Sequence, residues 1–350
     1  MLNLNFKEKN IFVRLKNEKA PIILYGMGNG ADKVISYLNK FEIPIYGIMA
    51  SDDFCRYQTY KDFKVKKLSD FENELKNFII LLCFGTDIEY VINHILEISK
   101  KHTLLVPSIS LFGNEIVNDD FINNNLNKIK EAYNLLSDEY SKTIYEKSFH
   151  FLYTGELKYL QNMDSDKKDI YKLLELNNIE NYLDLGAYDG DTIKDFICYT
   201  NGYKKITAVE PNIKNFTKLL KNTEELNNIE LINKGISNIC EKTYISKNAG
   251  RMAYISDENG VEIETTTVDE FFKTSTFSYI KCDVEGYETK MIEGAKNALL
   301  SKPKLSISAY HKPSDIFNLI LQINSINPEY KFYLRKQKYI PLWDLNIYAK

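Results

Sequence analysis

Short apolar runs alternate with amphipathic segments along the first third of the chain. Residues 22–25 form an apolar run of strand length, and a glycine turn at 26–31 leads into residues 31–41, whose apolar side chains recur at helical spacing. The same order repeats and predicts strands at 43–49, 78–84 and 103–107 and helices at 68–75 and 87–98. Because strands that alternate with helices form parallel sheets covered on both faces, we predict an α/β domain at residues 1–116.

The strand pattern stops between residues 119 and 163. Apolar side chains recur there at the spacing of one helical face: Phe121, Leu126, Ile129, Tyr133, Leu136, Tyr140 and Ile144. Residues 137–139 (Ser-Asp-Glu) predict the start of a second helix. We expect a helical connector at residues 117–165 that packs on one or both neighbouring domains. In an alternative interpretation, four aromatic side chains form a lid over the active site: Tyr145, Phe149, Phe151 and Tyr153.

A second series of strands predicts an α/β domain at residues 166–350. Its strands are expected at 182–185, 205–209, 230–233, 278–282 and 304–309, with a helix after the fourth. Two final strands, at 331–335 and 346–349, are placed to form the antiparallel edge of a seven-stranded, mostly parallel sheet. The chain of 350 residues therefore divides into a smaller α/β domain, a helical connector and a larger α/β domain.

Composition and charge narrow the classes of function. The net charge of −3 leaves no basic body for the phosphate backbone, so we expect no nucleic-acid partner. The five cysteines lie far apart and form no CxxC pair, which is typical of a reducing cytoplasm and not of a zinc or disulfide framework. The N-terminus has no signal-peptide pattern, and the longest apolar run, 78–84, is far shorter than a membrane span of about 20 residues. A homo-oligomer is compatible with the sequence.

The first glycine turn, Gly-Met-Gly-Asn-Gly-Ala at residues 26–31, is typical of a Rossmann-like nucleotide site. Asp52 or Asp53 follows the second strand, where a carboxylate would bind ribose. The turn could serve a nicotinamide-dependent oxidoreductase or a nucleotide-sugar-binding protein. However, no Ser-Tyr-Lys set for hydride transfer is evident nearby, and the glycines could equally serve only a tight strand-to-helix connection.

A second glycine loop has the pattern DxGxxxG, with Asp184, Gly186 and Gly190. Asp189 and Asp191 beside it would repel a polyphosphate. S-adenosylmethionine fits better, because carboxylates suit its ammonium and hydroxyl groups and glycines allow its close approach. The sequence therefore predicts a cofactor site at this loop.

Acidic side chains at later strand ends extend this site. Glu210 ends the second strand about 20 residues after the glycines, where an acid binds ribose hydroxyls. The third strand leads to Gly-Ile-Ser at 235–237, where adenine contacts are expected. Ligands of open α/β sheets bind at the carboxyl ends of strands. We therefore expect five side chains to converge on one rim: Asp184, Glu210, Asp283, Glu285 and His311.

Four segments of the larger domain resemble the FkbM family of S-adenosylmethionine-dependent methyltransferases. They are DLGAYDGDT at 184–192, AVEPN at 208–212, TTTVDEFF at 265–272 and YIKCDVEGYETKMIEGA at 279–295. The resemblance spans about residues 166–350 and implies a class I methyltransferase fold and O-methylation, often of sugars or natural products. The Rossmann-like first domain is similar to domains attached to some bacterial members.

The resemblance also implies roles for individual residues. It gives cofactor roles to Asp184, Gly186, Gly190 and Glu210, and it makes Asp283 and Glu285 active-site residues. We expect the complete cofactor-binding set to be Asp184, Gly186, Ala187, Gly190, Thr192, Glu210, Asn212, Ser237 and Asp283. Tyr188 and Asp189 depart from the pattern of many members, which leaves open how the methionine end is held.

The chemistry is expected at Asp283, Glu285 and His311. Of the four histidines, only His311 lies at a rim position of the larger domain, so it is the expected base for a saccharide hydroxyl, with Asp283 orienting it or taking the proton. Alternatively, the three side chains hold a divalent cation such as Mg²⁺ or Mn²⁺, or His311 only neighbours a helix N-cap. Aromatic side chains available to stack on a sugar are Tyr287, Tyr310 and Trp343.

Overall fold

The computed structural model describes residues 1–246, the backbone of 255–256, and residues 260–350. The strands within these residues form three sheets, of six, four and seven strands. Parallel pairing dominates the two large sheets, which confirms the predicted α/β class. Among the described helices, none has the length and apolar character that a membrane crossing requires.

The first sheet follows the predicted alternation of strands and helices. Its strands are β1 Ile22–Tyr25, β2 Gly47–Met49, β3 Thr59–Tyr60, β4 Phe63–Lys66, β5 Ile79–Leu82 and β6 Thr103–Leu105, in the order β3-β4-β2-β1-β5-β6. The helices are α1 Ile11–Lys16, α2 Asn29–Lys40, α3 Leu68–Glu74 and α4 Glu89–Lys101. Strand β2 is shorter than predicted, because the Ile43 amide closes the preceding helix on Leu38 O and Pro44 has no amide hydrogen. The hairpin β3–β4 and helix α1 were not predicted from the sequence.

Two long helices join the large sheets. They are α5 Asp119–Leu135 and α6 Glu139–Thr154, followed by a 3₁₀-helix at Leu157–Leu160 and by α7 Lys167–Leu173. Asp138 caps α6 by accepting the Ser141 N–H at 2.7 Å, as the sequence predicts. The lid interpretation is wrong, because all four aromatic side chains lie in the hydrophobic core: Tyr145, Phe149, Phe151 and Tyr153. The domain boundaries at residues 116 and 165 stay a prediction.

The second large sheet has the predicted seven strands. They are β7 Asn181–Leu185, β8 Lys205–Val209, β9 Ile229–Ile232, β14 Tyr279–Cys282, β15 Lys304–Ser308, β16 Phe332–Lys336 and β17 Leu345–Ala349, in the order β16-β17-β15-β14-β7-β8-β9. Strand β17 runs antiparallel to both of its neighbours, which confirms the predicted antiparallel edge. Strand β7 lies between β8 and β14, so the order of strands reverses there and opens a crevice at their carboxyl ends.

Helices and a small sheet surround the second large sheet. The helices are α8 Asp191–Thr200, α9 Ile213–Asn222, α10 Val268–Phe272, α11 Glu288–Glu293, α12 Lys296–Leu300 and α13 Asp315–Ile326. The small sheet contains β10 Gly235–Ile236, β11 Lys242–Ile245, β12 Ile255–Ser256 and β13 Val261–Thr266, in the order β10-β13-β11-β12.

The two α/β parts contact each other directly. Thr86, just after β5, exchanges two backbone hydrogen bonds with Ile340, of 2.7 Å and 2.9 Å. A Cβ at Gly85 would lie 2.4 Å from the Trp343 ring, so the strand end packs closely on the loop before β17. This contact brings the carboxyl end of the first sheet to the crevice of the second.

Gly30 of the first glycine turn has a packing role. A Cβ there would lie 2.0 Å from the Cys83 carbonyl oxygen, so only glycine lets α2 approach the end of β5. The sequence left open whether these glycines serve a ligand or a connection, and at Gly30 the connection alone requires glycine.

Gly30→Ala should therefore destabilise the protein by about 2–3 kcal/mol, the usual cost of forcing extra volume into a packed site. The matched control is Gly113→Ala, where the added Cβ meets no atom within 4 Å and only the positive φ of 78° opposes it. That strain should cost about 1 kcal/mol. Urea unfolding of both variants checks the difference, and equal losses would contradict the packing role.

Candidate active site

A cavity of about 430 Å³ opens at the carboxyl ends of β7, β8 and β14. Five predicted site residues line it: Gly186, Thr192, Glu210, Asp283 and Glu285. The others do not: Asp184, Ala187, Gly190, Asn212, Ser237 and His311. The volume falls in the range of small-molecule and cofactor sites.

The second glycine loop brings the ends of β7 and β14 together. Gly186 has φ +82°, and a Cβ there would lie 1.9 Å from the Asp283 carbonyl oxygen. Asp184 is fully buried under this loop and accepts a hydrogen bond of 2.6 Å from the Thr192 hydroxyl. It therefore ties the strand to the first turn of α8 and acts from behind the cavity wall.

Lys281 completes this arrangement and was missed in the sequence. It stands opposite Asp184 in the register of β14 and β7, and its Nζ lies 3.4 Å from Asp184 Oδ1. Burial alone would lower the pKa of Lys281, but the carboxylates of Asp184, Asp283 and Asp191 raise it above the ordinary value. Lys281 is therefore a fixed positive charge in the cavity wall. The sequence feature that could have identified this pair is a charged residue, Asp184 or Lys281, within each of two otherwise apolar strands.

Glu210 lies at the end of β8 and is only 5% exposed. Its two carboxylate oxygens accept the Tyr188 N–H at 3.0 Å and the Asn212 N–H at 2.9 Å. Burial raises the pKa of Glu210 to about 7, although these hydrogen bonds lower it. Oε1 also accepts the Asn215 side-chain amide at 3.5 Å, whereas Oε2 keeps a second lone pair and can still accept from a ligand hydroxyl.

Four predicted cofactor residues support the wall from behind. Asn212 caps α9 by accepting the Lys214 and Asn215 amides, and the Asn215 side chain lines the cavity in its place. Gly190, in the left-handed conformation, is the N-cap of α8, and Ala187 is fully buried. Ser237 is buried and donates its amide to Thr266 O, whereas its neighbours Gly235 and Ile236 line the cavity.

The structure places His311 among three carboxylates. Its Nε2 lies 3.5 Å from Asp283 Oδ1 and 3.5 Å from Glu285 Oε2, and its Nδ1 lies 2.9 Å from Glu288 Oε1. Neither ring nitrogen makes a regular hydrogen bond with the described residues. Ligand atoms of Asp283, Glu285 and His311 all lie within 4.8 Å of one another. We call His311, Asp283, Glu285 and Glu288 the His311 cluster.

Glu288 is the member of this cluster that the sequence did not assign. It is fully buried in the first turn of α11, and its Oε1 accepts the Val284 N–H at 3.1 Å and the Gly286 N–H at 3.4 Å. Its signal was its place three residues after Glu285, at the start of a helix. Glu288 therefore fixes the turn that presents Glu285.

Burial and mutual charge shift the pKa values in the His311 cluster. Burial would lower the pKa of His311, but Glu288, Glu285 and Asp283 raise it well above the ordinary value. Burial raises the pKa of Glu285, whereas the positive charge of His311 outweighs burial and lowers the pKa of Glu288. His311 is thus an imidazolium in the cation-free protein near neutral pH. The imidazolium form has no lone pair to accept a proton, and the role of His311 as the base stays a prediction.

Residues 108–115 of the first α/β part cover the His311 cluster. The Leu111 N–H and the Ser110 hydroxyl donate to His311 O at 3.1 Å and 3.2 Å. The Phe112 ring meets the His311 ring edge-on with centroids 5.5 Å apart. The His311 side chain is consequently 0% exposed. The sequence offered no local signal for this contact, because it joins segments about two hundred residues apart.

Aromatic side chains form the outer part of the cavity. The Tyr310 hydroxyl lies 3.3 Å from both oxygens of Asp283, and the Trp343 and Tyr339 rings line the wall beside it. Tyr287, also expected to stack on a sugar, does not line the cavity and lies against Lys290. Two of the three expected aromatic residues are therefore in place to contact an acceptor.

Side chains from the same α/β part of the chain contact the first glycine turn. The Tyr60 hydroxyl accepts the Gly28 N–H at 3.1 Å and lies 2.7 Å from Asp32 Oδ1. Asp32, paired with Lys61 at 2.9 Å, puts a carboxylate in the first turn of α2, where a phosphate would bind. The Asp52 side chain is 76% exposed and lies 3.8 Å from Lys67 Nζ. These contacts argue against a dinucleotide at this turn.

Comparison with known proteins agrees with this fold. Residues 184–340 match the family model of the methyltransferase FkbM domain. No curated protein matches the chain. The crystal structure of methyltransferase FkbM from Methylobacillus flagellatus KT is similar over 97% of this chain and 92% of that chain, with a TM-score of 0.74 and 20% sequence identity.

Two further solved structures are similar to about half of the chain. One is an rRNA methylase from Streptococcus thermophilus, with a TM-score of 0.34, 14% identity and coverage of 53% of this chain and 93% of that chain. The other is fibrillarin from Aeropyrum pernix in complex with natively bound S-adenosyl-L-methionine, with a TM-score of 0.34, 14% identity and coverage of 53% and 74%. Residues 184–340 thus form a methyltransferase FkbM domain, and the chain shares its fold along nearly its whole length with the Methylobacillus flagellatus protein.

Proposed function

We propose that this chain transfers the methyl group of S-adenosylmethionine to a hydroxyl of a saccharide or glycoconjugate precursor. The FkbM domain and the whole-length structural similarity support an S-adenosylmethionine-dependent methyltransferase. The observation that carries the acceptor half of the proposal is the His311 cluster, because it places carboxylates and one imidazole beside a cavity with an aromatic wall.

The cofactor would lie along the loop after β7 and the end of β8. Gly186 and Thr192 line the cavity there, and Asp191 offers a carboxylate to the methionine ammonium group. Glu210 would accept from the ribose hydroxyls, and Gly235 and Ile236 would face the adenine ring. Asp184, Ala187, Gly190, Asn212 and Ser237 would hold these walls in place from behind.

The raised pKa of Glu210, about 7, makes cofactor binding depend on pH. The ionised carboxylate accepts a charge-assisted hydrogen bond from the ribose, and this bond is weakened when the acid is protonated below its pKa. Affinity for S-adenosylhomocysteine should therefore fall about tenfold from pH 8 to pH 6. In Glu210→Gln the affinity should be lower and this dependence should disappear, as calorimetric titrations at several pH values would measure.

Glu230→Gln is the matched control, because Glu230 is an exposed acid on the neighbouring strand and pairs with Lys205. It should retain the pH dependence of the unmodified protein. If the affinity of Glu210→Gln for S-adenosylhomocysteine still fell with pH as in the unmodified protein, another group would cause the pH dependence. Glu210 would then not bind the ribose.

Methyl transfer needs an acceptor oxygen in line with the sulfonium methyl group. The oxygen attacks the methyl carbon, the carbon–sulfur bond breaks, and its electron pair leaves with the neutral thioether. The hydroxyl proton must go to a base. We assign that base to Asp283, because its side chain is 30% exposed and lines the cavity, whereas His311 is fully buried and does not line it. The Tyr310 hydroxyl would orient the Asp283 carboxylate.

The same residues fit a divalent cation. His311 Nε2 is buried without a hydrogen-bond partner among the described residues and faces one oxygen each of Asp283 and Glu285. Glu288 lies on the opposite ring nitrogen, the usual position of a carboxylate that orients a metal-binding histidine. Carboxylates with one imidazole suit Mg²⁺ or Mn²⁺, which would supply Lewis acidity for the acceptor hydroxyl. We propose that Asp283, Glu285 and His311 hold such an ion. The second oxygen of Asp283 would then accept the proton of the acceptor hydroxyl.

Mn²⁺ binding, followed by electron paramagnetic resonance, tests this ion site without an acceptor. Glu285→Gln should weaken Mn²⁺ binding at least about tenfold, because it removes one charged ligand, and Glu288→Gln should weaken it by about 10- to 100-fold through the orientation of His311. The matched control is Glu293→Gln, an exposed glutamate of the same helix α11. Equal Mn²⁺ affinity in all four proteins would remove the cation from the proposal.

Transfer of labelled methyl groups to a panel of saccharides and glycosides tests the activity itself. Asp283→Asn should lower turnover by at least about 100-fold, because it removes the proton acceptor at unchanged volume. Asp53→Asn, at the exposed acid beside the first glycine turn, should behave as the unmodified protein. Methyl transfer to amines or RNA in place of hydroxyls would overturn the proposed acceptor class.

A further inference from the structure

A second cavity, of about 240 Å³, lies between the two α/β parts beside the active-site cavity. The two cavities share the side chains of Leu111, Tyr310 and Trp343 as a common wall. The second cavity therefore adjoins the cavity that would hold an acceptor next to the methyl group.

The walls of the two cavities differ in chemistry. Most side chains of the second cavity are apolar, and they come from both parts of the chain: for example Val34 and Leu82 from the first, and Ile316 and Leu342 from the second. Acidic side chains are absent from its described lining, whereas acids surround the active-site cavity. The second cavity thus favours an uncharged, apolar group.

Its few polar side chains are mostly engaged. Lys33 donates to Leu111 O at 2.7 Å and Lys312 to Gly286 O at 2.9 Å. The hydroxyl of Ser108 is buried and has no hydrogen-bond partner among the described residues. The cavity therefore offers an apolar surface and one hydroxyl group for a single hydrogen bond.

From these walls we infer that the second cavity binds an apolar alkyl or aryl substituent of the acceptor, whose hydroxyl reacts at the His311 cluster. This inference rests on the proposed O-methyl transfer and narrows its acceptor to an amphipathic glycoside. Tyr310 would contact both halves of such a molecule, because its hydroxyl lies near Asp283 and its side chain lines both cavities. Met27 and Gly30 of the first glycine turn line the apolar half, so that turn would serve the acceptor and not a nucleotide.

Binding of methyl, butyl and hexyl β-glucosides, measured by calorimetry with S-adenosylhomocysteine present, tests the inference. Affinity should rise about fourfold for each added methylene until the cavity is filled. Ser108→Phe places a ring in the cavity from its loop wall and should abolish this rise while leaving S-adenosylhomocysteine affinity unchanged. Ser137→Phe, the same change at an exposed serine between α5 and α6, should keep the rise.

A flat affinity series in the unmodified protein, or a rise that persists in Ser108→Phe, would overturn the inference. Met27→Trp fills the cavity from the other side and serves in place of Ser108→Phe if that variant does not fold. Because binding is measured without turnover, its outcome is separate from the methyl-transfer assay. A rise in affinity without transfer to any hydroxyl would count against the proposed activity and leave the apolar site in place.

Discussion

Three carboxylates surround one imidazole at the cavity wall, where His311 and Glu288 are fully buried, and this constraint governs the rest of the site. Like charges buried together are costly unless a positive charge compensates them. In the protein alone that charge is the His311 imidazolium, held by the raised pKa that the three acids impose. With a divalent cation the ion would take over the compensation, and His311 would give up its proton to become a ligand. Either the His311 imidazolium or a divalent cation can therefore compensate the same negative charge.

This balance depends on the first α/β part of the chain. Phe112 and the backbone of residues 110–112 exclude water from His311, and Glu115 accepts hydrogen bonds of 3.0 Å and 2.8 Å from the amide and hydroxyl of Ser314 in the loop that follows. Without this cover the carboxylates would be solvated and would perturb the imidazole much less. The FkbM domain alone thus lacks one wall of its own site. This fits the structural similarity to the Methylobacillus flagellatus protein, which extends over 97% of the chain and not only over the matched domain.

The sequence predicted those features that depend on local pattern. Apolar runs located most strands of the two large sheets. The rule that ligands bind at strand ends predicted that Glu210, Asp283 and Glu285 lie together, and all three line one cavity. Features that depend on register or on distant packing were not predictable in this way. Lys281 meets Asp184 only because the two residues stand opposite each other in neighbouring strands. The burial of His311 results from contact with a loop about two hundred residues earlier in the chain. The hairpin β3–β4 was missed because its strands have only two and four residues.

The charges around the two cavities also restrict the acceptor. Acidic side chains lining the active-site cavity are Asp87, Asp191, Asp195, Glu210, Asp283, Glu285 and Asp344, against Lys167 and Lys281. Lys167 is paired with Asp195 and Lys281 with Asp184, so neither is left to attract a phosphate. A phosphorylated or nucleotide-activated sugar would carry its negative charge into this acidic surface, whereas a cationic sulfonium and an uncharged polyol would meet no such repulsion. The acidic lining of the active-site cavity and the apolar walls beside Tyr310 together favour an acceptor that joins an uncharged, hydroxyl-bearing group to an apolar group.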